Sequence, residues 1–434
     1  MQCQANSKEI KLIDIKAGDE FPMTTSYKTA YNRHRRRPQE PNYIGDLNVL
    51  VDFSRPSTDP RIIPLQDTNK NSNSTSTSNS NNQCQYKGPT FGITTHPGFV
   101  YIPQALSKQI QTDIAYKALT EFCNAPHRTN IDLVPKKANE VDNQADESMW
   151  NLWKKDNISL KKKLEWASKS ASEQHRANIE KEGIASTRTA QSAFRCYKSF
   201  DKLSWATAGY HYDWTARSYN EHMKSPVPPV MSALGSLFAE LDPSLSPPSR
   251  GQGFTHENKF MTSASIVNYY SLRSKMGGHR DDLELDFTKP VVSISLGLPA
   301  VFLLGSKMKE EEPVIGILVR PGDVMLLAGD SRLCFHGMAR VIPNEVILPR
   351  VLLKENMAMD GDGDFQIGSW SDECLEVKGD TANQSSLLRD LTTPDIDVDA
   401  VRKFLSSHRI NINLRQVLPY GVDEIPSKED IHHA

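Results

Sequence analysis

From about residue 260 onward the chain breaks into short β-branched and aromatic runs, IVNYYSL, PVVSISLG, PAVFLLGS, PVIGILV, DVMLLAG and HGMARVI, separated by glycine, proline and charged residues. A last run, ININLRQVL, follows far downstream. Such side chains pack well on a pleated surface, and runs this short with turn residues between them predict strands rather than helices. The expectation is an all-β barrel or sandwich over residues 261–419. Between its last two core strands lies a polar, mostly irregular insertion at about 344–400, which carries MDGDGD and GDTANQSS.

Alternation sharpens that expectation, because side chains two apart in a strand share a face. Across Arg409–Arg415 the odd positions read Arg, Asn, Asn, Arg and the even positions Ile, Ile, Leu. One face is wholly polar, with an arginine at each end. Such a strand lines either water or a polar cavity. Taken alone, the segment reads more readily as an edge strand with a solvated face.

The stretch MGGHRDDLELDF puts His279 and Asp281 on one face if extended, and Asn268 and Tyr270 share a face in the strand before it. With 12 histidines and 53 acids in 434 residues, a His-x-acid spacing arises by chance about once or twice. His211-Tyr212-Asp213 is a second instance. What separates the two is the rest of the chain. His336 sits in another β-run, SRLCFHGMARV, so two histidines and one carboxylate come from two strands of one β-domain. That set is the facial triad that holds Fe(II) with coordination positions left open, unlike the closed four-ligand cage of a structural zinc. Open positions let a bidentate cosubstrate and O2 bind together, and the terminal strand offers arginine to a dicarboxylate. A lone histidine in a β-domain is more often a satisfied polar residue, but here the combination occurs in the order such an oxygenase needs. His211 has no comparable partners, and its setting, WATAGYHYDW, is crowded with rings suited to stacking on a flat substrate.

The stretch NKNSNSTSTSNSNNQ, residues 69–83, has nothing apolar to bury and reads as a disordered spacer. Residues 1–88 thus read as a largely disordered tail, with anchoring positions such as Tyr43, Ile44, Leu47 and Leu50-Val51-Asp52-Phe53. Residues 89–260 read as a helical and aromatic region. In it, THPGFVYIPQALS predicts a strand ended by Pro103 and then a helix over 105–123. Trp150, Trp153, Leu160, Leu164 and Trp166 approximate a helical stripe within 150–200, a window with eleven Lys or Arg against five acids. That excess is either a patch for a polyanion or a solvated helix face. Residues 420–434 read as a tail.

Over the whole chain 51 basic and 53 acidic side chains leave a net charge of −2, so no global field draws the protein to nucleic acid or membrane. Six cysteines, without CxxC pairing, read as free thiols of a reducing compartment. No run approaches the roughly 18–20 apolar residues of a membrane span, and the amino terminus lacks secretory or transit character. The expectation is a soluble monomer of nucleus and/or cytoplasm, with the mitochondrion open. Arg33-His34-Arg35-Arg36-Arg37-Pro38 is either a nuclear address or a solvated loop.

HRD at 279–281, SRLCFHG with His336, NYYSLRSKMGGHRD, TKPVVSISLG, AVFLLG, PGDVMLLAGDSRL, NLRQVLP, LSWATAGYHYDW and HPGFVYIP together resemble the AlkB family of Fe(II)- and 2-oxoglutarate-dependent dioxygenases. The best match is its eukaryotic homologue-one branch. The likeness runs discontinuously from about residue 95 to 420 and leaves out 1–90, 167–195 and most of 344–400. It implies a mainly β fold with flanking helices (α+β), built on a double-stranded β-helix, or jelly-roll, core with an N-terminal nucleotide-recognition lid, and would make residues 89–260 the substrate-recognition region. It implies that His279, Asp281 and His336 bind iron and that Arg409 pairs with the distal carboxylate of 2-oxoglutarate through its guanidinium fork. Asn268 and Tyr270 would hydrogen-bond the same cosubstrate, and Arg415 would sit near its metal-bound end or the substrate. Trp205 and Tyr210, or Tyr212 or Trp214 in place of the latter, would contact a flipped nucleotide.

The implied reaction consumes O2 and 2-oxoglutarate, releases succinate and CO2, and removes the methyl of a methyl-adenine or methyl-cytosine in tRNA or DNA as formaldehyde. The base must first leave its stack. An alternative keeps the iron chemistry but takes a protein such as a histone tail as substrate. A barrel that binds without catalysis is a third reading, disfavoured because all three candidate ligands and both arginines are present.

Overall fold

The computed structural model describes residues 27–35, 49–54, 56, 59–66, 84–86, 88–131, 150–151, 153–154, 202–213, 217–243, 259–308, 313–343, 375–377 and 396–425. Helix α1 (Tyr27–His34) is followed by strands β1 (Ile62–Gln66), β2 (Cys84–Tyr86), β3 (Thr90–Ile93) and β4 (His96–Ile102). Next come α2 (Lys108–Thr120), β5 (Arg128–Thr129), β6 (Trp205–Asp213), β7 (Ser218–Ser225) and α3 (Pro229–Ala239). The β-rich runs form β8 (Ala264–Ser271), β9 (Met276–His279), β10 (Val291–Gly297), β11 (Ala300–Leu304), β12 (Ile315–Val319), β13 (Val324–Leu327) and β14 (His336–Val341). The chain then adds β15 (Leu375–Val377), α4 (Val398–Leu405) and β16 (His408–Arg415).

The result is a mixed α+β fold. A large sheet runs β1-β3-β4-β13-β10-β16-β8-β6-β5, with β7 beside β6; a small sheet runs β12-β11-β14-β9; β15 pairs with β2. The two faces of the large sheet differ. Val292, Ile294 and Leu296 of β10, Val267 and Tyr269 of β8 and Ile410, Ile412 and Leu414 of β16 join Ile114, Leu119, Leu234, Phe238 and Phe404 of the helices in one apolar core. The alternate residues of the same strands point the other way, where Ser293, Arg409, Asn411 and Asn413 line a cleft that residues of the small sheet also line. Period-two alternation is the reason: an apolar even face seats the sheet on its helices and leaves the polar odd face for the interior cleft.

The predicted strands between 264 and 341 are all present, and the helix expected over 105–123 spans Lys108–Thr120, capped by Ser107, whose hydroxyl accepts from the Ile110 amide. Two readings are corrected. β16 is no solvated edge: it lies between β10 and β8, with Asn411 opposite Ser295 on one side and Asn268 on the other. Its polar face is buried because both neighbours and the small sheet enclose it, which the segment's own pattern could not reveal. The described parts of residues 27–66 are also built into the domain. Tyr27, Ala30 and Leu50 pack on β11 and β12, Val51 bridges Ile317, and the Asp52 carboxylate accepts two hydrogen bonds from Arg320 at 2.5 and 2.6 Å.

Trp150 and Trp153 of the expected apolar stripe stack at 4.9 Å between ring centroids, are buried, and Trp153 meets Phe404 edge-on. The span read as an irregular insertion contributes β15 and the start of α4. Leu160, Leu164, Trp166, Trp214, the rest of the basic window, Arg36 to Pro38, Tyr43, Leu47 and the 69–83 spacer lie outside the described residues. Among the described residues no helix is long and apolar enough to cross a membrane.

Candidate metal centre and cosubstrate cleft

Strands β9 and β14 run antiparallel with His279 directly opposite His336, and the two rings stand 4.5 Å apart. Asp281 follows β9 by two residues and turns its carboxylate between them, with Oδ2 3.6 Å from His336 Nε2 and Oδ1 3.9 Å from His279 Nε2. One ligand atom from each residue lies within 4.8 Å of the others, the sole such group of three or more His, Cys, Asp or Glu among the described residues. Both imidazoles are oriented from behind. His279 Nδ1 lies 3.1 Å from the Gly277 carbonyl and His336 Nδ1 3.0 Å from the Cys334 carbonyl. A carbonyl only accepts, so each Nδ1 carries the proton and each Nε2 presents a lone pair to the shared space.

Electrostatics favour the ligating forms. Although 37% of the His279 side chain meets solvent, desolvation by the surrounding protein, reinforced by His336, pushes its pKa down to about 4. The ring is neutral at neutral pH. Burial works against the Asp281 carboxylate, but Arg415 and the two histidines outweigh it and hold its pKa well below the usual range. Asp281 Oδ2 nevertheless has no hydrogen-bond partner, although it is buried. An orphaned carboxylate oxygen facing two imidazole lone pairs is what a divalent cation satisfies, and a two-His, one-carboxylate set suits Fe(II) with positions to spare.

Behind Asp281 lies a dense buried network. Arg415 Nη2 bonds Asp281 Oδ1 at 2.7 Å, and its Nε is 3.7 Å from Glu284 Oε1. Arg332, 2% exposed, donates to Glu284 Oε2 at 3.0 Å, to the Asp281 carbonyl at 2.6 Å and to the Lys289 carbonyl at 3.0 Å. Tyr219 of β7 donates to Glu284 Oε1 at 2.9 Å. Sequence reasoning missed Glu284, Arg332 and Tyr219. Glu284, three residues past Asp281, and Arg332, four before His336, each sit inside a quoted motif, but only the tertiary contact pairs them.

At the other end of β16 Arg409 is 3% exposed, and among the described residues no carboxylate forms a salt bridge with it. Its Nη2 donates to Ser295 Oγ at 2.8 Å and its Nη1 to the Leu298 carbonyl at 3.2 Å, while Nε has no partner. Burial pushes its pKa down, as expected of a cation lacking a counter-ion. Arg409 and the triad line the same partly open cleft. Val291, Phe302, Leu327 and Met338 form its apolar wall, and Tyr270, Ser293, Asn411 and Asn413 its polar one.

The predicted residues are not all brought together. Tyr270 lines the cleft, whereas Asn268, buried on the same strand, sits beside it opposite both Asn411 and Trp205 and is not a lining residue. Trp205, Tyr210 and Tyr212 of β6 do not line the cleft either. Tyr212 meets Tyr219 edge-on at 5.7 Å, and Tyr210 donates to Glu221 at 2.9 Å beneath the Lys224 ammonium, in a small apolar cluster with Ala264 and Val417. His211 is buried with Nδ1 2.8 Å from the Thr207 hydroxyl, a satisfied polar residue.

A mixed fold with a two-histidine, one-carboxylate centre in one cleft with a buried arginine that no carboxylate among the described residues pairs is the arrangement an iron- and 2-oxoglutarate-dependent oxygenase needs. The pattern of the 2OG-Fe(II) oxygenase superfamily matches residues 151–415, and the chain belongs to that family. Within it the chain matches ALKBH1-type eukaryotic proteins. It is 32% identical over 258 residues to the DNA N(6)-methyladenine demethylase ALKBH1A of Arabidopsis thaliana, covering 59% of this chain and 67% of that one. To the nucleic acid dioxygenase ALKBH1 of Homo sapiens it is 30% identical, covering 62% of this chain and 60% of that one. To the tRNA demethylase abh1 of Schizosaccharomyces pombe it is 35% identical over 160 residues, 37% of this chain and 48% of that one. The chain thus spans about half to two thirds of the length of these relatives.

Proposed function

We propose that this protein is an Fe(II)- and 2-oxoglutarate-dependent dioxygenase that demethylates a methyl-adenine or methyl-cytosine in tRNA or DNA. The observation that carries it is the orphaned Asp281 oxygen between two correctly oriented imidazoles, in one cleft with a buried arginine that has no anion of its own. His279, Asp281 and His336 would hold the iron. Bound there with 2-oxoglutarate and O2, it supplies oxidation of an N-methyl group, with succinate, CO2 and formaldehyde as products.

The chain's own share is orientation and exclusion of water. Arg409, held by Ser295 and the Leu298 carbonyl, would receive the distal carboxylate of 2-oxoglutarate, with Tyr270 beside it; Arg415 keeps Asp281 ionised and aimed. The apolar wall keeps competing water from the reacting centre. On this reading the two sheets are the walls of a double-stranded β-helix, the histidines from the small sheet and Arg409 from the large one. The β6–β7 hairpin, with Trp205, Tyr210 and Tyr212, would serve as the nucleotide lid. Names and substrates of the relatives support nucleic acid over protein as substrate.

The test is mass spectrometry of methylated tRNA and single-stranded DNA incubated with the protein, Fe(II) and 2-oxoglutarate, with succinate followed in parallel and His279→Ala as blank. Loss of methyl mass with succinate, absent in the blank, is the expected result. Succinate with nucleic acid unchanged would overturn the substrate and point to a protein instead.

A further inference from the structure

The two histidines rest on a weak piece of sheet. β9 is four residues long, two of them glycine, and it pairs with β14 at two positions only, His279 with His336 and Met276 with Met338, across a register shift. Glycine in a strand gives no side chain to pack and weakens it. The outer face of this sheet explains what holds it. On β14, His336 and Met338 face the cleft, which the Gly337 backbone also lines, while a Cβ on Gly337 would point toward Tyr27 of helix α1 and Ala339 packs in the same cluster as Tyr27.

Tyr27 takes up space beside three glycines. A Cβ on Gly278 would lie 2.3 Å from Tyr27 Cε1 and one on Gly305 2.9 Å from Cδ2, while one on Gly337 would lie 2.7 Å from both the Tyr27 hydroxyl and the Gly277 carbonyl and 2.8 Å from the Met276 carbonyl. Gly278 and Gly337 are the immediate neighbours of His279 and His336, so the ring presses on the backs of both ligand-bearing strands at the ligands' own level. A rigid ring leaves no slack for any side chain at these glycines. Tyr27 is 4% exposed and is itself held, against Phe335 and in a cluster with Leu50, Val301 and Leu303. Its hydroxyl has no hydrogen-bond partner, so it supplies only bulk beside Gly337, and the ring itself makes the approaches to Gly278 and Gly305.

We propose that Tyr27, wedged into the Gly278–Gly305–Gly337 floor, is a positioning residue that sets the separation of β9 and β14 and thereby of His279 and His336. It lies outside the 151–415 span that matches the family. This rests on the reading of His279, Asp281 and His336 as metal ligands.

The test is Mn(II) binding to the full chain by calorimetry, with no cosubstrate and no turnover. Tyr27→Leu keeps apolar bulk but loses the flat ring; it is expected to weaken Mn(II) about tenfold, whereas Tyr27→Phe stays within about twofold, by analogy with losses on removing groups that orient ligands. Phe238→Leu, in the core on the far face of the large sheet, serves as the control for stability: it lowers the melting temperature but leaves Mn(II) affinity unchanged. Gly278→Ala approaches the wedge from the other side and is expected to match Tyr27→Leu. Wild-type affinity in Tyr27→Leu, or equal weakening in Phe238→Leu, would overturn the proposal. If the wild type binds no Mn(II), or His279→Ala binds it equally, the metal reading falls and this proposal with it.

Discussion

Arg409 and Arg415 occupy the two ends of one face of β16, both buried, in opposite electrostatic company. Arg415 has Asp281 at 2.7 Å, Glu284 at 3.7 Å and the Tyr219 hydroxyl at 3.5 Å; Arg409 has a serine hydroxyl and a carbonyl. The acids raise the Arg415 pKa against burial, while burial lowers that of Arg409. A buried charge without a partner is costly. The difference teaches which arginine belongs to the protein's architecture and which is kept for a ligand: the first completes a network, the second leaves one incomplete.

The largest effect expected to test this contrast is at the filled end. Arg415→Met strands the Asp281 carboxylate, while Glu284 keeps Arg332 and Tyr219, and is expected to cost about 3–5 kcal/mol of stability in urea titrations at neutral pH. A loss as small as that of an exposed pair would mean water already screens the network. At the empty end, Arg409→Met is expected to leave the ligand-free protein as stable as wild type or more so, while weakening 2-oxoglutarate by about 2–5 kcal/mol in calorimetry with Mn(II) present. Equal destabilisation by the two substitutions would erase the comparison.

Acid sharpens it next. The folded-state pKa of Asp281 lies below its ordinary value of 3.8, so its stabilisation is full above that pH and is lost as pH falls through the depressed value. Without Arg415 the carboxyl titrates higher, and the acid-unfolding midpoint of Arg415→Met, followed by circular dichroism without metal, is expected to rise by about one pH unit. An unchanged midpoint would show that Arg415 does not set the charge of Asp281. The smallest effect belongs to Ser295→Ala, which removes the hydroxyl that steadies Arg409 and is expected to weaken 2-oxoglutarate by about 0.5–1.5 kcal/mol. A loss as large as that of Arg409→Met would mean that Ser295 contacts the cosubstrate itself.

Much of this was readable in the residues. Strand alternation announced β8, β10, β16 and the polar face of Arg409 to Arg415, and a His-x-Asp followed by a histidine in a later strand announced the centre that the fold assembles. The rest was not. Glu284 and Arg332 are 48 residues apart in sequence and bonded at 3.0 Å. Tyr27 looked like part of a tail because its partners are glycines, which leave no apolar signature to match. The rings at 205–212 drew attention to a lid, and no local pattern showed that Tyr210 and Tyr212 would pack in one cluster with Tyr219, Ala264 and Val417.

The amino-acid sequence by itself determined the predicted strands between 264 and 341 and the polar face of β16, because side-chain pattern and a two-residue period are local properties of the chain. Only the tertiary structure decided whether that polar face would meet water or a cavity, and which of its two arginines would find an acid. Those outcomes depend on which distant segments pack against the face, and no local pattern encodes its neighbours.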